Sequence, residues 1–338
     1  MATFGDLPVE IHLLIAKRCG DVGHDVLVKF SLLSRYFQSL ALPALTCSAE
    51  LDRLQDDDHK LQLFTHRFAP LHRNKLVTLS LVLGRSQIPA HYSLDDGLDE
   101  IFANIISLLS QLKTVHVTIS SGSAYKDALE EGDFSLTLKA MERLKYLETI
   151  TIGQDTDGGS VDSASFVTHM LFNCLPRFKC LKKLTLHRMN LVLPATLASE
   201  TSHSIHLTHI NLQSMRITKN PSSVVQRDQL TEFIHFFSQN LKSLSIKNIT
   251  LDLPPQSLPL LAPRLSNLDL FFTPNHSHDV APNLIANDYL EQQYRHVLEK
   301  FSRSSSLQSI SIGGPVGLAQ LKLLQQSGGF RGVFQVNQ

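Results

Sequence analysis

The cluster best suited to metal chemistry is His276-Ser277-His278-Asp279, two imidazoles and a carboxylate within a few positions. Such donors suit zinc, which could then activate a water for hydrolysis. The cluster lies in the stretch 273–287 (TPNHSHDVAPNLIAN), however, where no rigid element would fix ligand geometry. His187 and His203-x-x-His206-x-x-His209 are spread over strand and loop and read as surface. Asp56-Asp57-Asp58 reads as a solvated run, because a hard-cation site needs convergent ligands from elsewhere. Cys174 and Cys180 have five residues between them and no second pair, which is not a zinc spacing. With Cys19 and Cys47 they are too few and too scattered for a disulfide framework, and all four read as reduced, buried or half-buried thiols. Gly313-Gly314-Pro315-Val316-Gly317 follows a strand, as a phosphate cradle would, but Pro315 removes an amide donor, and a turn between repeats is the simpler reading. There is no phosphate-binding Gly-x-x-x-x-Gly-Lys loop, no Gly-x-Gly-x-x-Gly and no Gly-x-Ser-x-Gly elbow. Nothing assembles nucleophile, base and oxyanion donors, so no enzyme, metal or cofactor is expected. A metal-dependent hydrolase built on the His276 region is the enzymatic alternative.

The elements that would carry any site are set by leucine. The 338 residues include 57 leucines, about one in six, and no tryptophan. Hydrophobic residues make up 43% and charged residues 18%, the balance of a globular protein with a sizeable core. The 31 basic and 31 acidic side chains cancel, which argues against nucleic acid or an anionic membrane as main partner. No apolar run reaches transmembrane length and the N-terminus lacks a secretory pattern, so the expected compartment is the cell interior, cytoplasm or nucleus.

The pattern Leu-x-x-Leu-x-Leu, with Ile or Val allowed, begins at Leu76, Leu112, Leu147, Leu181, Leu207, Leu241, Leu265 and Leu307. The intervals are 36, 35, 34, 26, 34, 24 and 42 residues. Each unit ends apolar–polar–apolar, the period of a half-buried strand. Amphipathic stretches at 98–112, 134–146, 163–175, 228–240 and 288–301 predict helices between the strands. One strand and one helix per unit imply an α/β fold with a parallel sheet, wound as a curved leucine-rich solenoid over 76–338. Two units, from Leu207 and Leu241, extend to a longer frame ending at Ile217 and Leu251. The polar stretches 153–162, 193–206 and 273–287 read as insertions along one edge.

Residues 1–48 break this pattern. Leu7, Ile11, Leu14 and Ile15 share a helical face, with Asp6 placed to cap and Pro8 in the first turn. After a GDVGHD break, two more short helices are predicted, anchored by Leu27, Phe30, Leu33, Phe37 and Leu40. Residues 49–75 read as a linker helix ending before Pro70.

Leu7-Pro8-x-Glu10-Ile11, Phe30-Ser31-Leu32-Leu33-Ser34-Arg35-x-Phe37 and Leu40-Ala41-x-Pro43-x-Leu45 resemble the F-box motif in its three blocks. The variant is similar to that of fungal F-box proteins with irregular leucine-rich repeats. The resemblance is specific over 5–47 and only architectural over 76–338. It departs at Leu45-Thr46-Cys47, where such proteins often read Leu-Tyr-Arg, which is expected to weaken the exit of the third helix. What the resemblance implies is a substrate-recognition subunit of a cullin–Skp–F-box (SCF) ubiquitin ligase, without catalytic residues of its own. Leu7, Pro8, Ile11, Ile15, Leu33 and Phe37 would then contact the Skp adaptor, and through it a cullin. The alternative is a non-degradative protein that uses Skp only as a partner.

In each strand the residue between the last two apolar positions should point away from the core, onto the concave face. That column reads Ser80, His116, Thr151, Thr185, Asn211, Ser245, Asp269 and Ser311. Two residues on stand Val82 or Leu83, Thr118, Gly153, His187, Gln213 or Ser214, Lys247, Phe271 and Gly313. Phe271 and Phe272 cannot both point inward. Asn211, Lys247, Asp269 and Phe271, with both charge signs and an aromatic ring, are the substrate-binding candidates.

Overall fold

A computed structural model describes residues 7–22, 24–52, 58–83, 98–119, 135–154, 173–193, 206–219, 237–247, 250–251, 264–271, 306–313 and 333–337. Every leucine unit becomes a strand. These are β2 (Thr78–Leu83), β3 (Thr114–Ile119), β4 (Thr149–Gln154), β5 (Lys183–His187), β7 (His209–Gln213), β9 (Ser243–Lys247), β11 (Asn267–Phe271) and β12 (Ser309–Gly313). They pair in chain order, all parallel, within an open ten-stranded sheet.

The register is the same at every step, so equivalent leucines stack. Leu79, Val115, Ile150, Leu184, Ile210, Leu244, Leu268 and Ile310 form one fully buried column. The first leucine of each unit, from Leu76 to Leu307, is buried beneath it in the same core. Removing one of these side chains to Ala should cost about 2–5 kcal/mol, since packed neighbours on both sides limit collapse.

Two strands lie outside the sequence expectation. β1 (Ser48–Asp52) pairs with β2, and β13 (Val333–Asn337) pairs with β12, closing the two ends of the ladder. The linker is therefore not one helix from 49 to 75. Ser48-Ala49-Glu50-Leu51-Asp52 alternates with period two and sets Ala49 and Leu51 beside Leu79 and Leu81. Helical structure resumes at Asp58–Leu63 (α4), widens through a turn at Phe64–Phe68 where the Ala69 amide reaches Phe64 O, and continues as Ala69–His72 (α5). Pro70 does not end it: it stands at the second position of the last segment, and the helical backbone runs on to His72.

The helices at 98–112 and 134–146 are shorter than expected: α6 is Leu98–Leu108 and α7 Ser135–Glu142. The buried Leu109 and Leu112 belong to the turn into β3. Of the segments 163–175 and 228–240 only the last residues are described, as helical turns at Leu175–Arg177 and Ser238–Asn240. The segment 288–301 lies outside the described residues.

The longer frame has a structural cause. Asn190–Leu193 (β6), Arg216–Lys219 (β8) and Thr250–Leu251 (β10) form a second parallel sheet of three strands. The Leu181 unit joins it through Met189 and Leu191, both buried, so three units follow that frame. The chain turns from β5 to β6 at Arg188 (φ 57°) and from β7 to β8 at Ser214 (φ 53°). These left-handed residues aim their amides at the next strand: Arg188 N–H donates to Gln213 O (2.8 Å) and Ser214 N–H to Lys247 O (2.7 Å).

The N-terminal segment forms three helices, α1 (Val9–Val22), α2 (His24–Ser31) and α3 (Arg35–Cys47). Ser34 caps α3, its hydroxyl accepting from the Phe37 amide. Ala16, Leu27, Phe30 and Ala41 make a separate small core. At the exit of α3 the helix runs through Cys47 directly into β1, and Thr46 is buried, its hydroxyl donating to Leu42 O (2.8 Å). Among the described residues, no helix is long and apolar enough to cross a membrane.

Candidate recognition surfaces

The polar column opposite the core is continuous. Register aligns Ser80, His116, Thr151, Thr185, Asn211, Ser245, Asp269 and Ser311, and extends the row to Glu50 at one end and Gln335 at the other. The next column is Val82, Thr118, Gly153, His187, Gln213, Lys247, Phe271 and Gly313, so Leu83 and Ser214 are not its members.

Three of the four substrate candidates fall within one patch of this face. Asp269 is held twice at Oδ2: the Ser245 hydroxyl donates to it at 3.0 Å, and Lys247 Nζ pairs with it at 3.0 Å. Phe271 is half-buried and lies beside Lys247 and Gly313 in the register. Asn211 stands two strands away, with Ser245 between. Its Oδ1 is shut off from solvent and accepts no hydrogen bond. An orphaned acceptor of that kind costs about 1–3 kcal/mol. Phe272 and the cluster at 276–279 lie outside the described residues, and no group of three metal-ligating side chains occurs among those described.

A second feature was not legible in the sequence. The imidazole of His187 on β5 lies directly over Gly153 on β4, where a Cβ would overlap all three of its nearest ring atoms. Gly153 is thus the floor on which the ring rests, and the ring leans toward β3. Burial first, then the charges of Arg188 and His116, hold the His187 imidazole below the ordinary histidine value. Burial does the same to His116. In both rings the neutral form, an uncharged donor and acceptor, is favoured.

The adaptor candidates divide between surface and core. Leu7 and Pro8 are exposed, as are Ile11 (41% accessible) and Leu33 (68%). Ile15 and Phe37 instead pack on the three-helix core, Phe37 against Phe30 with ring centroids 4.8 Å apart. Leu14, read as sharing one helical face with Leu7, Ile11 and Ile15, is exposed, as are Leu13, Leu32, Tyr36 and Leu42. α1 is tied to α3 by His12 Nδ1 and Tyr36 Oη at 2.6 Å. A groove of about 400 Å³ runs beside this face, lined by Leu13, Ala16, Leu27, Leu40, Pro43 and Cys47.

No protein-family model matches the chain, and no curated protein matches it. The assignment of function therefore rests on the residues themselves. The small helical module thus carries exposed apolar side chains, and the sheet carries a long polar column on a separate part of the chain.

Proposed function

We propose that the chain is the substrate-recognition subunit of a cullin–Skp–F-box ubiquitin ligase. In this reading α1–α3 are the F-box and the ladder is a curved, leucine-rich-repeat-like solenoid that holds a protein substrate. The observation that carries it is the uncovered apolar face of α1–α3. Leu7, Pro8, Ile11 and Leu33 stand on the surface of a module that buries only four apolar side chains among the described residues. Such a module gains stability by covering that face with a partner. Ile15 and Phe37 support the contact from beneath rather than making it. On the ladder, Asn211, Lys247, Asp269 and Phe271 form the candidate substrate patch.

Ile11→Asp tests the adaptor contact. Because Ile11 is exposed, helical content should not change, whereas capture of the Skp adaptor should fall about thirtyfold or more, roughly 2 kcal/mol. Unchanged capture by a folded variant refutes the contact. Cullin co-purifying with the adaptor separates the ligase subunit from a protein that uses Skp alone.

A further inference from the structure

Four exposed lysines run along the edge of the sheet where β3 to β9 begin. Backbone bonds join their positions into one row: Glu148 N–H donates to Lys113 O, Lys182 N–H to Glu148 O, Thr208 N–H to Lys182 O and Lys242 N–H to Thr208 O. Lys183 follows Lys182 at the first position of β5. At the usual strand spacing the row is about 19 Å long. Among the described residues, one carboxylate opposes the four cations. Glu148 bonds to Lys182 at 2.8 Å, which leaves Lys113, Lys183 and Lys242 in excess.

Two titrating groups register the resulting field. The Glu148 carboxyl is held low, first by its bond to Lys182 and then by the charges of Lys182, Lys113 and Lys183. His209 pairs with Lys183 in the register, and its imidazole is held low by burial, then by Lys183 and Lys242. The field therefore spans the row from β3 to β9.

We propose that this row docks an acidic peptide segment of a partner protein, whose carboxylates pair with Lys113, Lys183 and Lys242. The inference deepens the reading above by giving the chemistry of the segment held, and rests on it only in calling that partner a substrate. A row of this length matches about six residues of extended peptide. The hydroxyls of Thr149 and Ser243, one position further into the strands, stand ready for peptide carbonyls. Nucleic acid fits less well. The chain as a whole has no surplus of positive charge, and the row holds no phenylalanine, tyrosine or tryptophan on which bases could stack.

The test is fluorescence anisotropy on the full chain with a labelled peptide of alternating Glu and Ser. A Gln counterpart and an oligothymidylate of equal charge serve as comparisons. The acidic peptide should bind, weaken with added salt, and lose about tenfold or more in affinity to Lys183→Glu combined with Lys242→Glu. The neutral pair Lys183→Gln with Lys242→Gln should lose less, in the same direction, and Lys29→Glu on α2 should change nothing. Four results overturn the proposal: no saturable binding, equal binding of the Gln peptide, undiminished binding by the reversed variant, or tighter binding of the oligothymidylate. Skp capture by the same variants keeps the two readings apart. Capture retained while peptide binding is lost supports both, whereas capture absent from the unmodified chain removes the ligase reading and leaves the peptide result standing.

Discussion

Gly153→Ala sets two opposing effects against each other. Gly153 has ordinary strand backbone, so a Cβ there should stabilise the strand by about 0.5–1 kcal/mol through the unfolded chain. The same Cβ overlaps the His187 ring, which must swing away and give up its half-buried position. Overpacking of this kind costs about 1–3 kcal/mol, and because a side chain rather than backbone yields, the lower half of that range applies. The net expectation is a loss of between about 0 and 1.5 kcal/mol. In a His187→Ala background nothing remains to displace, and the same substitution should be neutral or stabilising by up to about 1 kcal/mol. Urea denaturation of the four chains of this double-mutant cycle measures both numbers. Imidazole titration by NMR adds a second readout, because a displaced His187 should return toward the ordinary histidine value. An equal loss from Gly153→Ala in both backgrounds would refute the claim that the ring is what the glycine accommodates.

Three further expectations concern other parts of the fold. Cys174 is pushed up to about 11, first by burial and then by the Glu142 charge, so it should resist thiol reagents at pH 8 while exposed Cys180 reacts; mass spectrometry of the labelled native chain reads this directly. His116, His187 and His209 are all held below the unfolded value in the folded chain, so the unfolded chain takes up more protons as pH falls. Stability should therefore be flat above about pH 7 and drop as pH falls through about 6.5 and lower; His116→Gln with His187→Gln should flatten that slope in urea titrations run at several pH values. Ser214→Gly should stabilise the fold by about 0.5–1 kcal/mol, because glycine relieves the left-handed backbone at the turn into β8 while keeping its amide bond to Lys247 O; a loss of stability would show that the Ser214 side chain contributes more than the strain it carries.

The eight inner strands were legible because each presents leucine-type residues at three fixed slots, and the spacing survives intervals from 24 to 42 residues. The end strands were not, and their sequences show why. β1 follows the same spacing with Thr46, Ala49 and Leu51, and β13 with Arg331, Phe334 and Val336, so each replaces the first leucine with a polar residue. Terminal units of a stacked array face solvent on one side and need not match the repeat. On the open face, alternation was enough to place Asn211, Asp269, Lys247 and Phe271 on one side of the sheet. It could not show that Ser245 and Lys247 both hold Asp269, nor that His187 rests on Gly153, because both depend on side-chain reach between strands. The split of the adaptor candidates was invisible for a related reason. Ile11 and Ile15 lie one helical turn apart, and only the placement of α2 and α3 decides that Ile15 is covered and Ile11 is not.

The passage from α3 into β1 has no loop in it: Cys47 is the last residue of the helix and Ser48 the first of the strand. The Val77 amide donates to Cys47 O (2.8 Å), so the junction is clamped by the second strand as well. The helical module is therefore a handle forged onto the sheet rather than a bead on a string. A partner on α1 and a partner on the ladder would therefore be joined through the α3–β1 junction with no linker between them. Altering that geometry would require inserting residues at the 47–48 boundary, the position at which the reach between the two surfaces could be changed without touching either one.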